Sequence, residues 1–394
     1  MLPSTEPRQT SSMRSQCRRE RTIIEVPPKA PAGRVLDLPA AKGGPFAPRW
    51  RAAPFTTCTA ILYLTERTIL VQTTHARRGL RTVLAPGKRA TRGYTARLAP
   101  TRNIRMMIKG SIVELVAPTE PNGAIKYESL ESLVDWHVVE GSAALLLGDA
   151  LDAALKLDAE ERLELWRRVI WQAEGRIAVI AGISADRIET SLEFAQAADE
   201  AGADAVLLTL PTMLGPSRDK LLHYVQTVAQ AVKQPLLLRS RAERLAPAVV
   251  DALAQVDGVS GFVDCATDIA RARELLALHL PVGFALYAGS DLAAAPFVLE
   301  GFAGGVSTTA NLVPRMVRKL HDAALSGDRA AAEALQQPLQ TLLQAQPEDN
   351  LPRAVQWALI EMGRVAESTP PLALSQTRDY ASLRRALRSA GCAI

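Results

Sequence analysis

The stretch that decides the fold is Gly258-Val-Ser-Gly-Phe-Val-Asp-Cys265, a short apolar run bounded by a glycine and an acid. It lies between two helical patterns, Ala246–Val256 and Thr267–Leu278. A short run of β-branched and apolar residues between two helices is typical of a parallel strand that is buried on both faces. In a barrel of such strands the carboxyl ends carry the chemistry, so Val263 and Asp264 are the first candidate site residues.

Strand-like and helix-like segments alternate regularly on both sides of this stretch. The predicted strands are Ser111–Ala117, Ala143–Leu147, Ile177–Ala181, Ala205–Leu210, Pro235–Arg239, Val259–Val263, Val282–Tyr287 and Gly305–Thr308. The predicted helices between and after them are Leu130–Glu140, Ala159–Ala173, Arg187–Ala201, Arg218–Val232, Ala246–Val256, Thr267–Leu278, Leu292–Phe302 and Leu312–Leu325. Asp158 and Asp186 precede two of these helices, each with a glutamate three residues on, as in a capping box. Eight such units predict an α/β fold, a (β/α)8 TIM barrel over residues 107–326, better than an open doubly wound sheet.

Further helical patterns follow the barrel in residues 327–394. They cover Asp328–Gln344, Leu351–Met362 and Ser382–Ala390. We expect this C-terminal helical extension to pack against the side of the barrel or to form a subunit contact. A homo-oligomer, either a dimer or a tetramer, is therefore the expected assembly.

The front of the chain, residues 1–105, differs in charge from the rest. It holds 20 Lys/Arg and 5 Asp/Glu, which leaves 26 of the 46 basic and 36 of the 41 acidic residues for the remainder. Three interpretations compete: a disordered basic tail that binds nucleic acid or a membrane, an arginine-rich transit peptide, and a segment that is not native because translation starts at Met106 or Met107. We favour the third, because the strand pattern begins directly after those methionines.

Several functional classes find no support in the sequence. No GxGxxG follows the first predicted strand and no GxxxxGK[ST] occurs, so neither dinucleotide binding nor P-loop chemistry is indicated, and we expect no cofactor. The acidic remainder carries no basic stripe for nucleic acid, and no run reaches the ~18 apolar residues of a membrane helix. The four cysteines show no CxxC spacing, which argues against a disulfide framework and fits a cytoplasmic protein.

Several segments resemble one known family. Lys109-Gly-Ser-Ile-Val-Glu-Leu-Val-Ala-Pro118 is similar to the opening strand of the dihydrodipicolinate synthase / N-acetylneuraminate lyase family. Further similarities, in the same order and spacing as in the family, are Val179–Ile183, Ala288–Asp291, Gly304–Asn311 and Asn350–Trp357. The resemblance covers about Met107–Ile394 and implies the same barrel.

The resemblance also implies a chemistry for which this sequence lacks the residues. Family members form a Schiff base between pyruvate or another 2-oxo acid and a lysine in a Gly-Ile-Lys-Glu motif, assisted by a tyrosine and a hydroxyl pair. Here the motif is matched by Gly261-Phe-Val-Asp264, so Val263 stands in the place of the lysine. Arg239 stands in the place of the tyrosine, and Asp149 and Ala150 in the place of the hydroxyl pair. No lysine occurs between Lys233 and Lys319, so we expect Schiff-base catalysis to be lost or severely reduced.

Other residues at the strand ends suggest binding sites. Arg239 and Arg241 end the fifth strand and could bind a carboxylate or a phosphate bidentately, and a small carboxylate or 2-oxo acid is the expected ligand. The alternative is a structural salt bridge to Asp149, Asp152 or Asp264. Ser307, Thr308 and Thr309 follow the eighth strand, where this fold often binds a small anion.

Two further chemistries are weaker possibilities. Asp149, Asp152, Asp264 and Asp291 all follow predicted strands and could hold a divalent cation, although ordinary capping and pairing explain single aspartates well. Lys156 could serve as a displaced Schiff-base lysine, although a solvated residue ahead of the Asp158 cap is the better interpretation.

Three hypotheses about function remain open from the sequence. The first is a divergent family member without Schiff-base activity. The second is a non-catalytic paralogue that binds a small carboxylate or pairs with an active homologous subunit. The third is an enzyme with altered, lysine-independent chemistry, of which chemistry that depends on a divalent metal is one form.

Overall fold

The computed structural model describes the backbone of three short segments near the front and most of the chain after them: Ile23–Glu25, Ala60–Thr65, Thr68–Thr73 and residues 107–149, 155–215, 217–240, 244–346, 351–367 and 380–394. The chain divides into two compact units, Met1–Thr101 and Arg102–Ile394.

The first unit contains a small antiparallel sheet. Its strands are β1 (Ile23–Glu25), β2 (Ala60–Thr65) and β3 (Thr68–Thr73), with β3 in the middle. These strands fall inside residues 1–105. The interpretation of that segment as disordered or not native stays a prediction.

The second unit is a closed barrel of eight parallel strands. They are β4 (Gly110–Glu114), β5 (Ala144–Leu147), β6 (Ala178–Gly182), β7 (Ala205–Thr209), β8 (Leu236–Ser240), β9 (Val259–Asp264), β10 (Ala285–Ala288) and β11 (Gly304–Ser307). Each strand pairs with the next, and β11 pairs with β4 to close the ring. The predicted TIM barrel is confirmed, and the apolar run that contains Val263 forms its sixth strand, β9.

Helices follow the strands in alternation and then continue as an extension. Those of the barrel are α1 (Tyr127–Glu140), α2 (Ala159–Ala173), α3 (Ile188–Ala201), α4 (Arg218–Ala231), α5 (Pro247–Ala254), α6 (Ile269–Leu276), α7 (Ala294–Glu300) and α8 (Pro314–Leu325). The extension contains α9 (Arg329–Ala345), α10 (Leu351–Glu361) and α11 (Ala381–Ser389). Among the helices described, none is long and apolar enough to cross a membrane.

The two predicted helix caps have different outcomes. Asp158 caps α2: its side chain accepts from the backbone N–H of Glu160 and Glu161, and the Glu161 side chain accepts from the Asp158 backbone N–H. The prediction for Asp186 is wrong, because α3 begins one residue later, with Arg187 at the N-cap and no side-chain cap. There Arg187 donates instead to the carboxylate of Glu189.

The strands alternate between two buried layers. Along each strand, successive side chains face the helices and the barrel interior in turn. In the interior, one apolar cluster includes Ile112, Leu207, Leu237, Val263 and Tyr287. Because the side-chain period of a strand is two, the residues that follow these by two positions also face inward. The side chains of Glu114 on β4 and Arg239 on β8 therefore also point into the barrel.

Candidate functional site

The strand register brings polar residues together at the carboxyl end of the barrel. Thr209 on β7 is paired with Arg239 on β8, and Arg239 is paired with Val263 on β9. A bulge at the start of the β8–β9 pair, between Leu236 and Leu237, absorbs one residue without changing this pairing at the carboxyl end. The positions that match the family's tyrosine and lysine are therefore neighbours in the sheet.

Arg239 is held by one acidic residue on β4 and by another that lies just after the end of β5. Its Nη1 donates to Glu114 Oε2 at 2.9 Å and its Nη2 to Glu114 Oε1 at 3.5 Å. Nη2 also contacts the carboxylate of Asp149, and Nε donates to Thr209 Oγ1 at 3.2 Å. The Thr209 hydroxyl in turn donates to Asp149 at 3.2 Å. All three nitrogens of the guanidinium are therefore bonded to groups of the protein itself.

Burial makes this cluster expensive to disturb. The side chains of Arg239, Glu114 and Asp149 are 3%, 4% and 5% exposed. A charge that is removed from water needs a close partner of opposite sign, and here the guanidinium has two. The alternative that Arg239 forms a structural salt bridge to Asp149 is confirmed. Each guanidinium nitrogen of Arg239 already bonds to a protein group, so a ligand would have to compete with these groups.

Val263 lies in apolar surroundings beside this cluster. It is fully buried in the barrel interior with Leu237 and Tyr287. The Tyr287 hydroxyl donates to the Ile108 carbonyl at 2.9 Å, and burial raises the pKa of this phenol well above its ordinary value. At the position of the family lysine the chain thus offers neither an amine nor a group that takes up protons at neutral pH.

Asp264 faces a different partner. Its Oδ2 accepts from the Nε of Arg271 on α6 at 2.9 Å, and its Oδ1 accepts from the backbone N–H of Ala266. Both side chains of the pair are nearly inaccessible to solvent. Of the three aspartates that the sequence offered as partners for the arginine pair, Asp264 is not the partner of Arg239, because it pairs with Arg271 on the helix side of the strand.

The hydroxyls after the eighth strand surround a protein carboxylate. The backbone N–H of Thr309 donates to Asp291 Oδ2 at 3.1 Å, and the hydroxyls of Ser307 and Thr309 lie close enough to this carboxylate to stabilise its charge. Complete burial raises the pKa of Asp291, while these hydrogen bonds oppose the rise. Thr308 is half-buried, and its carbonyl accepts from Asn311 Nδ2. An external anion at this position would have to compete with Asp291.

The aspartates that the structure describes do not combine into a metal site. Within the described residues, no three His, Cys, Asp or Glu side chains lie together as a possible ligand set. Asp149, Asp264 and Asp291 each have a separate partner, as described above. Asp152, Ala150 and Arg241 lie outside the described residues. Lys156 is exposed, with a φ of 51° just ahead of the Asp158 cap, which agrees with a solvated residue.

Three important residues were missed by the sequence analysis: Glu114, Thr209 and Arg271. A signal existed for Glu114, because an acid inside an otherwise apolar buried strand requires a cation, and Arg239 ends another such strand. Thr209 ends the strand next to that of Arg239. Nothing in the helical pattern of Thr267–Leu278 marks Arg271 as buried, since arginine also suits the exposed face of a helix.

Comparisons with known proteins agree on one family. Residues 107–390 match the family model described as the dihydrodipicolinate synthetase family. The 4-hydroxy-tetrahydrodipicolinate synthase of Methylococcus capsulatus is 38% identical over 290 residues, which cover 72% of this chain and 99% of the relative. The synthase of Pseudomonas aeruginosa is 35% identical over 290 residues, with the same coverage.

Solved structures give the same result. Dihydrodipicolinate synthase from Aquifex aeolicus superimposes with a TM-score of 0.66 at 26% identity, over 72% of this chain and 98% of that structure. The chloride-inhibited synthase from Acinetobacter baumannii, solved in complex with pyruvate, gives a TM-score of 0.66 at 31% identity, over 73% of this chain and 100% of that structure.

Proposed function

We propose that this chain, which belongs to the dihydrodipicolinate synthetase family, is a non-catalytic member that keeps the barrel but has lost Schiff-base catalysis. The observation that carries the proposal is the pairing of Val263 with Arg239 at the carboxyl end of β9 and β8. Valine has no amine, and the neighbouring guanidinium is bonded to Glu114 and Asp149. Imine formation needs an amine at the ketone carbon, and no group of the barrel interior described here supplies one.

We also propose that the barrel interior of this chain binds a 2-oxo acid, the ligand class of the family, only weakly. The Acinetobacter baumannii synthase was solved with pyruvate, so a small 2-oxo acid is the ligand to test. In this chain such an anion would approach the buried carboxylates of Glu114 and Asp149, and Arg239 would have to leave them to bind it. Like charges at close range in a buried site repel strongly, so we propose that pyruvate is not bound tightly there.

The test is reductive trapping of an imine. The full chain is incubated with pyruvate and borohydride, and its intact mass is recorded. We expect no mass increase, because an imine requires an accessible amine near the ketone. The synthase of Pseudomonas aeruginosa, treated in the same way, is the control that shows whether the procedure can trap an imine on a related protein.

One outcome would overturn the proposal. A stable adduct on this chain, mapped by peptide analysis to a single lysine, would mean that imine chemistry persists at a displaced position. Lys156 is the residue to inspect first, because it follows the second barrel strand. Modification spread over many exposed lysines would be non-specific and would leave the proposal standing.

A further inference from the structure

A cavity of about 160 Å³ lies at the carboxyl ends of β8 and β9, on the side that faces the helices. Phe262, which belongs to the layer between strands and helices, forms part of its wall. Ser240, Arg244, Asp264 and Arg271 bring polar groups to it. The volume is sufficient for several water molecules or for one small polyatomic ion.

Arg271 is the unusual component of this cavity. Its side chain is 1% exposed, yet within the described part of the chain its guanidinium makes a single hydrogen bond, from Nε to Asp264. An arginine has five N–H donors, four of them on the two terminal nitrogens. The terminal N–H groups of this buried guanidinium face the cavity and have no protein acceptor among the described residues. They can therefore bind a negatively charged hydrogen-bond acceptor that enters the cavity.

The neighbouring residues favour an anion. Two arginines and one aspartate line the cavity, so its lining carries an excess of positive charge. Arg244 is half exposed, and its partners Asp268 and Glu274 are also about half exposed, so these surface pairs hold it only weakly. Arg244 can therefore turn toward a bound ion on the solvent side.

The length of the acid at position 264 helps to explain the space. Where the family motif quoted above has glutamate, this chain has Asp264, whose carboxylate lies one methylene closer to the backbone. It reaches the Nε of Arg271 and leaves the terminal nitrogens to the cavity. A longer side chain at this position would extend toward those nitrogens and into the cavity.

We infer that this cavity is a binding site for a small oxyanion, a carboxylate or phosphate group, gripped by the terminal nitrogens of Arg271 and closed by Arg244. Two oxygens of such a group match the planar fork of a guanidinium. The inference does not depend on the loss of Schiff-base catalysis, because the cavity lies on the helix side of the strands, whereas Val263 faces the barrel interior.

The test is binding by the full chain of inorganic phosphate and, separately, of acetate, with sodium chloride at equal ionic strength as reference. We expect one or both oxyanions to raise Tm above the value in chloride, because a ligand that binds only the folded state stabilises it. The larger shift identifies the group: phosphate or carboxylate. Equal Tm in all three salts would overturn the inference.

Three variants locate the site. Asp264→Glu should abolish the shift by filling the cavity, and Arg244→Gln should weaken binding about tenfold, as expected for one lost charged hydrogen bond. Arg273→Gln is the matched control. Arg273 lies on α6 together with Arg271, but it pairs with Glu300 and does not line the cavity. Arg244 is half exposed, so its variant retains the fold even if Asp264→Glu does not. Equal binding by the Arg244 and Arg273 variants would also overturn the inference.

Discussion

At the scale of single residues, the buried guanidinium of Arg239 is held by the carboxylates of Glu114 and Asp149. The resemblance placed Arg239 and Val263 in the places of a tyrosine and a lysine, and the sheet register makes them neighbours. It did not show that Glu114 reaches Arg239 from the opposite region of the chain, 125 residues away. A strand pattern reports which face a residue occupies, whereas the partner across a barrel depends on closure of the whole ring.

Glu114→Gln should destabilise the protein substantially. The change removes one of the two carboxylates that neutralise a buried guanidinium, and breaking a buried ion pair typically costs about 3–5 kcal/mol. The free energy of unfolding in urea, followed by tryptophan fluorescence, measures the loss. Glu189→Gln is the control, because Glu189 pairs with Arg187 on an exposed surface and we expect no measurable change. Equal effects of the two variants would mean that Arg239 does not need Glu114.

Val263→Lys alone should not create imine-forming activity. The new ammonium would enter the layer that contains the carboxylates of Glu114 and Asp149. These carboxylates are already paired with the guanidinium of Arg239, which stands where the family has the phenol that relays protons, so the site lacks that assistance to imine formation. Borohydride trapping with pyruvate, read as intact mass, should give no adduct for this variant, with Val263→Met as the control for size. An adduct on the introduced lysine would show that the site still activates an amine.

At the scale of secondary-structure elements, periodicity predicted the strands and helices well. All eight barrel strands overlap their predictions, and α2 begins and ends where the sequence pattern does. The ends differ where local chemistry is ambiguous, as at α3, where an Asp followed three residues later by a Glu resembles a capping box but Arg187 occupies the N-cap. The pattern Asp-x-x-Glu is therefore compatible with the box but not sufficient for it, because the helix can start at the next residue.

The two aspartates provide a matched pair of variants. Asp158→Ala should lower the free energy of unfolding by about 1 kcal/mol, because it removes a side-chain acceptor for two backbone N–H groups. Asp186→Ala should have little effect, since no side chain caps α3. Urea unfolding of both variants makes the comparison. A loss of similar size in the two would mean that Asp186 stabilises the start of α3 after all.

At the scale of the whole molecule, the barrel was predictable and its altered interior was predictable only in part. Alternating buried strands and amphipathic helices predict a parallel sheet covered by helices, and the count of eight units favours a closed barrel over an open sheet. The buried polar groups are harder to anticipate. His137 and His321 lie on helix patterns in the sequence, yet both are fully buried in the structure. Helical spacing alone does not distinguish a core histidine from one at the edge of the apolar face.

These two histidines predict how stability depends on pH. Burial lowers the pKa of His137 to about 3 and also lowers the pKa of His321. Above the ordinary value of 6.5 both folded and unfolded chains are neutral at these positions, so the histidines do not affect the balance. As the pH falls below 6.5 the unfolded chain takes up protons that the folded chain refuses, so stability is lost toward acid. For His137 the loss between pH 6.5 and pH 5 is about 2 kcal/mol.

His137→Gln should remove that share of the acid sensitivity. The variant loses stability at neutral pH, because the contact between His137 Nδ1 and the Ser142 hydroxyl is rebuilt imperfectly. Its further loss between pH 6.5 and pH 5 should nevertheless be about 2 kcal/mol smaller than in the parent chain, since glutamine takes up no proton in either state. Urea unfolding at the two pH values measures this difference, and His223→Gln, at an exposed histidine of α4, should leave the parent's pH dependence unchanged. If both variants retain the full loss, the acid sensitivity arises from other buried groups whose pKa is lowered on folding, and His321 would be the next to replace.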